Sequence, residues 1–227
     1  MNQRIVIIGG MGPQASLELH KRLIASAANA GACKNDDYPE ILHASIPVVD
    51  FINSDDKLAA IQYLYKVLDN LQLRYSDKII LACNTAHLLV PQLEERYSVR
   101  FISLIDATVQ KISEKAEDKI AILASPTTIN SRLFEQPLVR YGYSVISPTH
   151  REMQVLEKAI RHIIANRTPA DMIGKIEPII LRMRNDGASR VILGCSELSV
   201  ILADYKSQCT VDPLNAVCEQ IFERGTI

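Results

Sequence analysis

The chain has 227 residues, of which 48% are hydrophobic, and its 25 lysines and arginines nearly balance its 26 aspartates and glutamates. This length accommodates one large domain or two small ones with buried cores. A net charge of −1 gives no electrostatic reason to expect a nucleic-acid or anionic-membrane partner. The apolar runs are too short to span a bilayer, and the apolar run after Arg4 leads directly into Gly9–Gly10, unlike a signal peptide. We therefore expect a cytoplasmic protein without a nucleic-acid or membrane partner.

Short β-branched apolar runs alternate with longer amphipathic segments along the chain. The predicted strands are Arg4–Ile8, Glu40–Ala44, Lys78–Ala82, Phe101–Leu104, Lys119–Leu123, Tyr143–Ile146, Arg190–Leu193 and Cys209–Val211. The predicted helices include Pro13–Ala28, Lys57–Leu71, Thr85–Arg96, Asn130–Tyr141, Glu152–Ala165 and Pro213–Arg224. Continuous apolar strands are typical of parallel sheets that are buried on both faces. The alternation therefore predicts an α/β fold.

An internal repeat divides the chain into two similar halves. Ile5–Ser16 aligns with Ile120–Ser131 without a gap, and nearly the same offset aligns Lys78–Thr85 with Arg190–Glu197. In each half, a strand leads through small residues into a helix, and a later strand ends in a small residue, a cysteine and a small polar residue. Two matches at a consistent offset indicate duplicated halves.

The repeat predicts two pseudo-symmetric lobes, each a mainly parallel sheet flanked by helices, with a cleft between them. We expect the N-terminal lobe to comprise residues 1–105 plus 212–227, because the last helix is expected to cross back to it. The C-terminal lobe is expected to comprise residues 106–211, with the break near Leu104–Asp106.

Two of the five cysteines lie where the two lobes would face each other. Without a secretion signal or a CxxC pair, the thiols are expected to be reduced. Cys83 and Cys195 each follow a predicted strand and precede a predicted helix, and ligands of open α/β sheets bind at the carboxyl ends of the strands. A helix N-terminus lowers a thiol's pKa, so this position favours a thiolate.

Two opposed thiols suit the inversion of a stereocentre, which needs a base on one face of a carbon and an acid on the other. The carbanion-like intermediate also needs hydrogen-bond donors around its carboxylate. Asn84 and Thr85 beside one cysteine and Ser196 beside the other can supply them. Backbone N–H groups of the turns Gly9–Gly12 and Ser125–Thr128 can add more, since both turns open helices.

Three motifs carry a family resemblance over essentially the whole chain. Gly9-Gly-Met-Gly-Pro13, Ala82-Cys-Asn-Thr-Ala-His87 and Leu193-Gly-Cys-Ser-Glu-Leu198 resemble the signatures of the aspartate/glutamate racemases, which are PLP-independent amino-acid racemases. The resemblance implies catalysis without cofactor or metal, an active site in the cleft, a frequent homodimer, and Cys83 and Cys195 as the acid/base pair.

The resemblance also implies a set of residues that line the substrate pocket. These are Met11, Gly12, Asn84, Thr85, Thr128 and Ser196. Ser125 takes the place of the first threonine in the family's Ala-Thr-x-x-Thr turn and keeps its hydroxyl group, so it joins the predicted ligands.

Two departures from the family pattern concern the substrate. The segment Ile46–Ile52 lacks the arginine with which aspartate racemases of the family hold a carboxylate, and Ile164 aligns with a family lysine. A buried acidic side chain needs a cation or several donors. Aspartate or glutamate is the first expectation, and the alternative is a broad-specificity racemase of neutral or polar amino acids.

Other interpretations of the same residues stay open at this point. Cys83 and Cys195 can also be interpreted as small buried apolar residues that only pack at the strand ends. The chain would then be a catalytically silent amino-acid-binding protein. For Cys33, Cys209 and Cys218 we expect no chemistry.

His87 either tunes the Cys83 thiol or packs its helix. Glu197 either orients Ser196 or a substrate ammonium, or is a first-turn carboxylate favoured by the helix dipole. A zinc site of Cys83, His87 and Cys195 lacks metal-like local spacing. The Gly10-x-Gly12-x-x-Ala15 run matches the loose dinucleotide fingerprint, but the second strand does not end in the required acid.

Overall fold

The computed structural model describes residues 4–48, 57–113, 119–168, 170–203 and 209–222. Within these residues, seven strands form two separate parallel sheets, and α-helices flank both. The α/β fold predicted from the alternation of strands and helices is confirmed.

The first sheet has the order β2-β1-β3, with β1 at Ile5–Gly9, β2 at Ile41–Ser45 and β3 at Lys78–Leu81. The central strand β1 is buried along its whole length. Its continuous apolar sequence fits that position, because helices cover both faces of a parallel sheet.

The second sheet has the order β5-β4-β6-β7. Its strands are β4 (Lys119–Leu123), β5 (Ser144–Ile146), β6 (Arg190–Leu193) and β7 (Thr210–Val211). Its first three strands repeat the arrangement of the first sheet, with the earliest strand in the middle and the cysteine-bearing strand beside it. The predicted equivalence of β1 with β4 and of β3 with β6 is confirmed.

The helices connect these strands as crossovers. They are α1 (Pro13–Asn29), α2 (Lys57–Leu68), α3 (Val90–Tyr97), α4 (Leu104–Ser113), α5 (Pro126–Asn130), α6 (Glu135–Arg140), α7 (His150–Ile164), α8 (Ala170–Asn185), α9 (Ser196–Ile201) and α10 (Pro213–Phe222). In the described part of the chain, none of them is long and apolar enough to cross a membrane.

One predicted strand is wrong. Phe101 makes only a single bridge to Ile79, and Leu104 already begins α4. Ser103 explains the early start of this helix, because its hydroxyl group accepts a hydrogen bond from the backbone N–H of Asp106 at 3.0 Å, as an N-cap residue does.

Two predicted helices are interrupted. The one predicted over Asn130–Tyr141 is broken by a turn in which Arg132 adopts a φ of 55°, so that it is divided between α5 and α6. The one predicted over Thr85–Arg96 begins as a 3₁₀ turn, Thr85–Leu89, and continues as α3 after it. Pro91 separates the two parts because it has no backbone N–H to extend a continuous ladder.

The last helix packs on the first sheet. Leu214 and Val217 of α10 share a buried cluster with Ile5 and Ile7 of β1. This contact agrees with the expected return of the chain, although the predicted end at Arg224 lies outside the described residues. The exact lobe boundaries stay a prediction.

Candidate active site

Cys83 lies two residues beyond the end of β3, buried against the apolar residues of the first sheet. Burial, together with the negative charge of Glu197, raises the pKa of its thiol to about 12. Hydrogen bonds from the backbone N–H groups of Ala86 and Thr85 and from the Thr85 hydroxyl group act in the opposite direction. The thiol of Cys83 is therefore protonated at neutral pH in the unliganded protein.

Cys195 occupies the equivalent position after β6, where it caps α9. It is equally buried, and its thiol donates a hydrogen bond to Oε2 of Glu197 at 2.8 Å. Burial raises the pKa of this thiol well above its ordinary value, and the charges of Glu197 and Cys83 add to the effect. The two cysteines and the carboxyl group thus form one electrostatically coupled cluster.

Glu197 joins the two halves of the chain at this point. Its carboxyl group is 2% exposed, and Oε1 accepts a hydrogen bond from the backbone N–H of Gly12 at 3.2 Å. Burial raises the pKa of Glu197. A carboxylate placed in the first turn only to complement the helix dipole would face solvent, so this geometry favours a role within the cleft.

The expectation that helix N-termini lower the thiol pKa values is wrong. A buried thiolate is penalised because a charge loses its hydration, and here a carboxyl group lies beside the thiols. After Cys83, moreover, the chain forms a 3₁₀ turn rather than an α-helix. Desolvation and the neighbouring acid outweigh the backbone N–H groups.

Three hydroxyl groups meet between the two sheets. Oγ1 of Thr85 lies 2.6 Å from Oγ1 of Thr128 and 3.4 Å from Oγ of Ser125. Ser125 also caps α5 by accepting a hydrogen bond from the backbone N–H of Thr128. The predicted ligand Thr85 is therefore brought together with Ser125 and Thr128, which lie 40 and 43 residues further along the chain.

Asn84 is a buried polar residue whose side-chain hydrogen-bonding groups are both unused. Its side chain is 1% exposed, yet neither its amide nitrogen nor its amide oxygen has a partner within the described structure. A buried amide without partners costs about 1–3 kcal/mol, so a bound polar molecule would relieve a real penalty. Ser196, on the other side, donates its hydroxyl hydrogen to the carbonyl oxygen of Ala82 at 3.4 Å.

The turn before α1 contacts residues of the other half of the chain. Met11 packs against the cluster that contains Cys83. A Cβ atom on Gly12 would lie 2.4 Å from Oε1 of Glu197 and 3.2 Å from Cγ1 of Ile164. Ile164, at the end of α7, therefore faces the cleft beside Gly12. The segment Ile46–Ile52, which lacks the arginine expected from the family pattern, is described only for residues 46–48.

The glycines of this turn are explained by packing. Gly10 has a φ of 93°, and a Cβ atom there would lie 2.3 Å from the backbone nitrogen of Ile46. The N–H of Gly12 already donates to Glu197. These contacts account for the loose dinucleotide fingerprint without a nucleotide.

His87 forms hydrogen bonds with backbone groups and not with the thiols of the two cysteines. Its Nε2 accepts a hydrogen bond from the N–H of Leu104 at 3.0 Å, so its Nδ1 carries the proton and donates to the carbonyl oxygen of Cys83 at 2.9 Å. Burial lowers the pKa of His87, which keeps the ring neutral. Both ring nitrogens are occupied, and among the described residues no His, Cys, Asp and Glu side chains are grouped to hold a metal ion. The zinc alternative therefore has no support in this geometry.

The chain as a whole matches a family model described as Asp/Glu/hydantoin racemase, over residues 8–221. The chain belongs to this family. It is therefore a racemase, which is an isomerase by reaction class.

Relatives of this racemase agree in fold and in length. The broad-specificity amino-acid racemase RacX of Bacillus subtilis is 24% identical over 216 residues, which cover 91% of each chain. The structure of the Picrophilus torridus aspartate racemase has a TM-score of 0.78 and 25% identity, and the match covers 98% of this chain and 94% of that one. An aspartate racemase homologue from Pyrococcus horikoshii matches over the whole of both chains with a TM-score of 0.75 and 23% identity, which shows the shared fold.

The strands that precede Cys83 and Cys195 can be predicted from the sequence, but contacts between the two halves of this racemase cannot. The bond from Gly12 to Glu197 and the bridge from Thr85 to Thr128 are not visible in any local pattern. Gln14 was not expected near the site at all, although its Nε2 donates to the carbonyl oxygen of Ile164 at 3.4 Å. Each of these contacts joins residues that are distant in the chain.

Proposed function

We propose that this racemase interconverts the enantiomers of α-amino acids without a cofactor, using Cys83 and Cys195 on opposite faces of the substrate's α-carbon. One observation carries the proposal. A buried cysteine follows the equivalent strand of each sheet, β3 and β6, and the charge of Glu197 raises the pKa of both cysteines. Buried cysteines that served only as packing would not need a carboxyl group beside them.

The reaction moves two protons. One cysteine starts as a thiolate and takes the α-proton, so that the bond between Cα and hydrogen breaks and an S–H bond forms. The other cysteine starts as a thiol and delivers its proton to the opposite face of the carbanion. The Cys195 thiol already donates to Glu197, so this carboxyl group can hold the proton of Cys195 when that cysteine acts as the base.

Polar groups around the cysteines support the binding of the amino-acid backbone. Asn84 offers an unpaired donor and an unpaired acceptor. The hydroxyl groups of Thr85, Ser125 and Thr128 add donors that stabilise the charge developing on the carboxylate in the transition state. These four side chains are buried, which strengthens each of these interactions.

The side chain of the substrate is expected to be neutral. Glu197 is the charged side chain that the described structure places against Gly12, and Ile164 is the apolar side chain beside it. A second substrate carboxylate would meet an acid and an apolar isoleucine side chain rather than a cation. The similarity to a racemase described as having broad specificity supports a range of substrates that is not confined to aspartate and glutamate. Aspartate and glutamate, after which the family is named, are the second candidate substrates.

A chiral chromatographic assay of the purified protein against all proteinogenic amino acids, with no cofactor added, tests the proposal. We expect conversion of several neutral or polar amino acids by the wild-type protein and by Cys33→Ser, in which an exposed cysteine is replaced. We expect no conversion by Cys83→Ser or Cys195→Ser. Selective conversion of aspartate or glutamate would favour the second candidate, and silence across the panel would favour an amino-acid-binding protein.

The homodimer implied by the family resemblance stays a prediction. Light scattering of the purified chain measures its mass in solution directly. Neither the two-thiol mechanism nor the substrate class depends on that result.

A further inference from the structure

A second concave surface lies on the C-terminal half of the chain, between α7, α8 and the turn that joins them. It encloses about 600 Å³, which is within the range of small-molecule sites. We call it the basic groove, because basic side chains dominate its lining. These are Lys158, Arg161, His162, Arg167 and Lys175. No residue of the basic groove belongs to the cleft around the two cysteines.

The carboxylates near the basic groove do not neutralise it. Arg161 pairs with Glu157 at 3.1 Å, and His162 lies 3.6 Å from Asp171. Lys158, Arg167 and Lys175 form no ion pair with a carboxylate in the described part of the chain. These three cations therefore face the same concave surface, where their mutual repulsion favours a bound anion.

Helix dipoles do not explain all of these charges. Arg161 and His162 lie in the last turn of α7, where a cation is favoured. Lys158 lies one turn earlier, and Lys175 lies in the second turn of α8, so both lie outside the terminal turns in which a helix dipole acts. Helix dipoles therefore do not account for Lys158 and Lys175 in the basic groove.

A contact between His162 and Thr168 helps to shape the groove. His162 is 13% exposed, and its Nε2 bonds to the carbonyl oxygen of Thr168 at 3.0 Å, which holds the turn between the helices. Val155 and Met172 form an apolar floor between the basic side chains. The basic groove therefore combines a preformed apolar base with cations at its rim.

We propose that the basic groove binds a small anion that carries two or more negatively charged groups of the phosphate or carboxylate type. Several separated cations match several anionic groups better than one, and arginine binds both phosphate and carboxylate through paired N–H donors. The apolar floor fits the carbon skeleton of such a molecule. This site is separate from the racemase cleft, so its occupancy can be measured without turnover.

Isothermal titration calorimetry of the full chain at low ionic strength tests the proposal, with pyrophosphate, ADP and citrate as the probes. We expect at least one probe to bind with a Kd below about 1 mM. Binding of pyrophosphate or ADP alone identifies a phosphate ligand, and binding of citrate alone identifies a carboxylate ligand. The double variant Lys158→Glu/Lys175→Glu is expected to raise this Kd at least tenfold, and Lys158→Gln/Lys175→Gln is expected to raise it by a smaller factor.

The matched control is Lys21→Glu/Lys66→Glu, which makes the same change of charge on exposed lysines of α1 and α2. It is expected to leave the Kd unchanged within a factor of two. Absence of binding by all three probes would overturn the proposal. Equal binding by the wild-type protein and by the groove variant would place the anion elsewhere and would overturn it as well.

Discussion

The thiol of Cys195 donates a hydrogen bond of 2.8 Å to the carboxyl group of Glu197, two residues further along the chain. The same carboxyl group accepts a backbone N–H from Gly12, at the start of the helix that opens the other half of the molecule. Glu197 therefore contacts both a reacting group and the opposite wall of the cleft. Its charge raises the pKa of both cysteines.

Replacement of Glu197 by glutamine is expected to shift the pH dependence of the reaction. A raised thiol pKa leaves less thiolate at a given pH, so a rate that needs a thiolate rises as the pH rises towards about 12, the pKa of Cys83. Glu197→Gln removes the charge that raises both thiol pKa values. We expect the rising limb of kcat/KM to move to lower pH by about one unit.

The matched control for this measurement is Glu177→Gln, at an exposed position of α8. It removes the same charge far from the thiols and is expected to leave the pH profile in place. A Glu197→Gln profile that coincides with the wild-type profile would show that the carboxyl group does not control the thiols.

Gly12→Ala is expected to abolish most of the activity while the protein stays folded. The new methyl group would lie 2.4 Å from Oε1 of Glu197, so the carboxyl group would have to leave its position beside Cys195. Gly174→Ala is the control, because nothing lies within 4 Å of a Cβ atom there and alanine stabilises a helix by about 0.5–1 kcal/mol. Thermal unfolding and turnover, measured on both variants, separate the two effects. Full turnover by Gly12→Ala would contradict the assigned role of the Gly12–Glu197 contact.

Ile164→Lys is expected to change the choice of substrate. It places a cation beside Gly12, where the wild-type protein has an apolar side chain, and a cation favours a substrate with a second carboxylate. We expect kcat/KM for aspartate relative to that for the best neutral amino acid to rise by about tenfold, which corresponds to about 1.4 kcal/mol. Leu181→Lys, at an exposed position of α8, is expected to leave this ratio unchanged. An unchanged ratio in Ile164→Lys would remove Ile164 from the side-chain pocket.

Arg22 is expected to stabilise the packing of α1 against α9 and against Asp212, which precedes α10. From α1 its guanidinium group contacts Glu18 and Asp212, and it donates to the carbonyl oxygen of Ser199 in α9. Arg22→Met leaves Asp212 without this cation, and we expect it to lower the free energy of unfolding by about 2 kcal/mol. Lys21→Met, at the adjacent exposed position, is the control. Denaturant unfolding that gives equal stabilities for the two variants would contradict this role.

Much of the fold follows from local patterns in the sequence. The apolar runs at β1, β3, β4 and β6 mark buried parallel strands, and the repeat pairs them correctly. Cys83 and Cys195 could be placed because the strand that precedes each of them is continuous and apolar. The apolar segment around Phe101 predicts a strand, but its residues form a loop that leads into a capped helix.

The electrostatics of the site could not be predicted in the same way. The pKa of each thiol depends on its burial and on Glu197, and the contact between Gly12 and Glu197 spans 185 residues of chain. The position of a helix N-terminus indicates only how the nearest backbone N–H groups affect the pKa of a thiol. His87 was ambiguous for the same reason, since its partner Leu104 belongs to a later helix.

The exchange of the substrate's α-proton in D2O, followed by NMR for each enantiomer separately, tests the two-thiol mechanism most directly. The wild-type protein is expected to racemise the substrate and to incorporate deuterium from either enantiomer. Cys83→Ser and Cys195→Ser are each expected to lose racemisation by at least about a hundredfold, because each lacks one proton-transfer group. Each variant is expected to retain exchange of only one enantiomer, and the two variants are expected to retain opposite ones. Racemisation by both variants at the wild-type rate would contradict the mechanism.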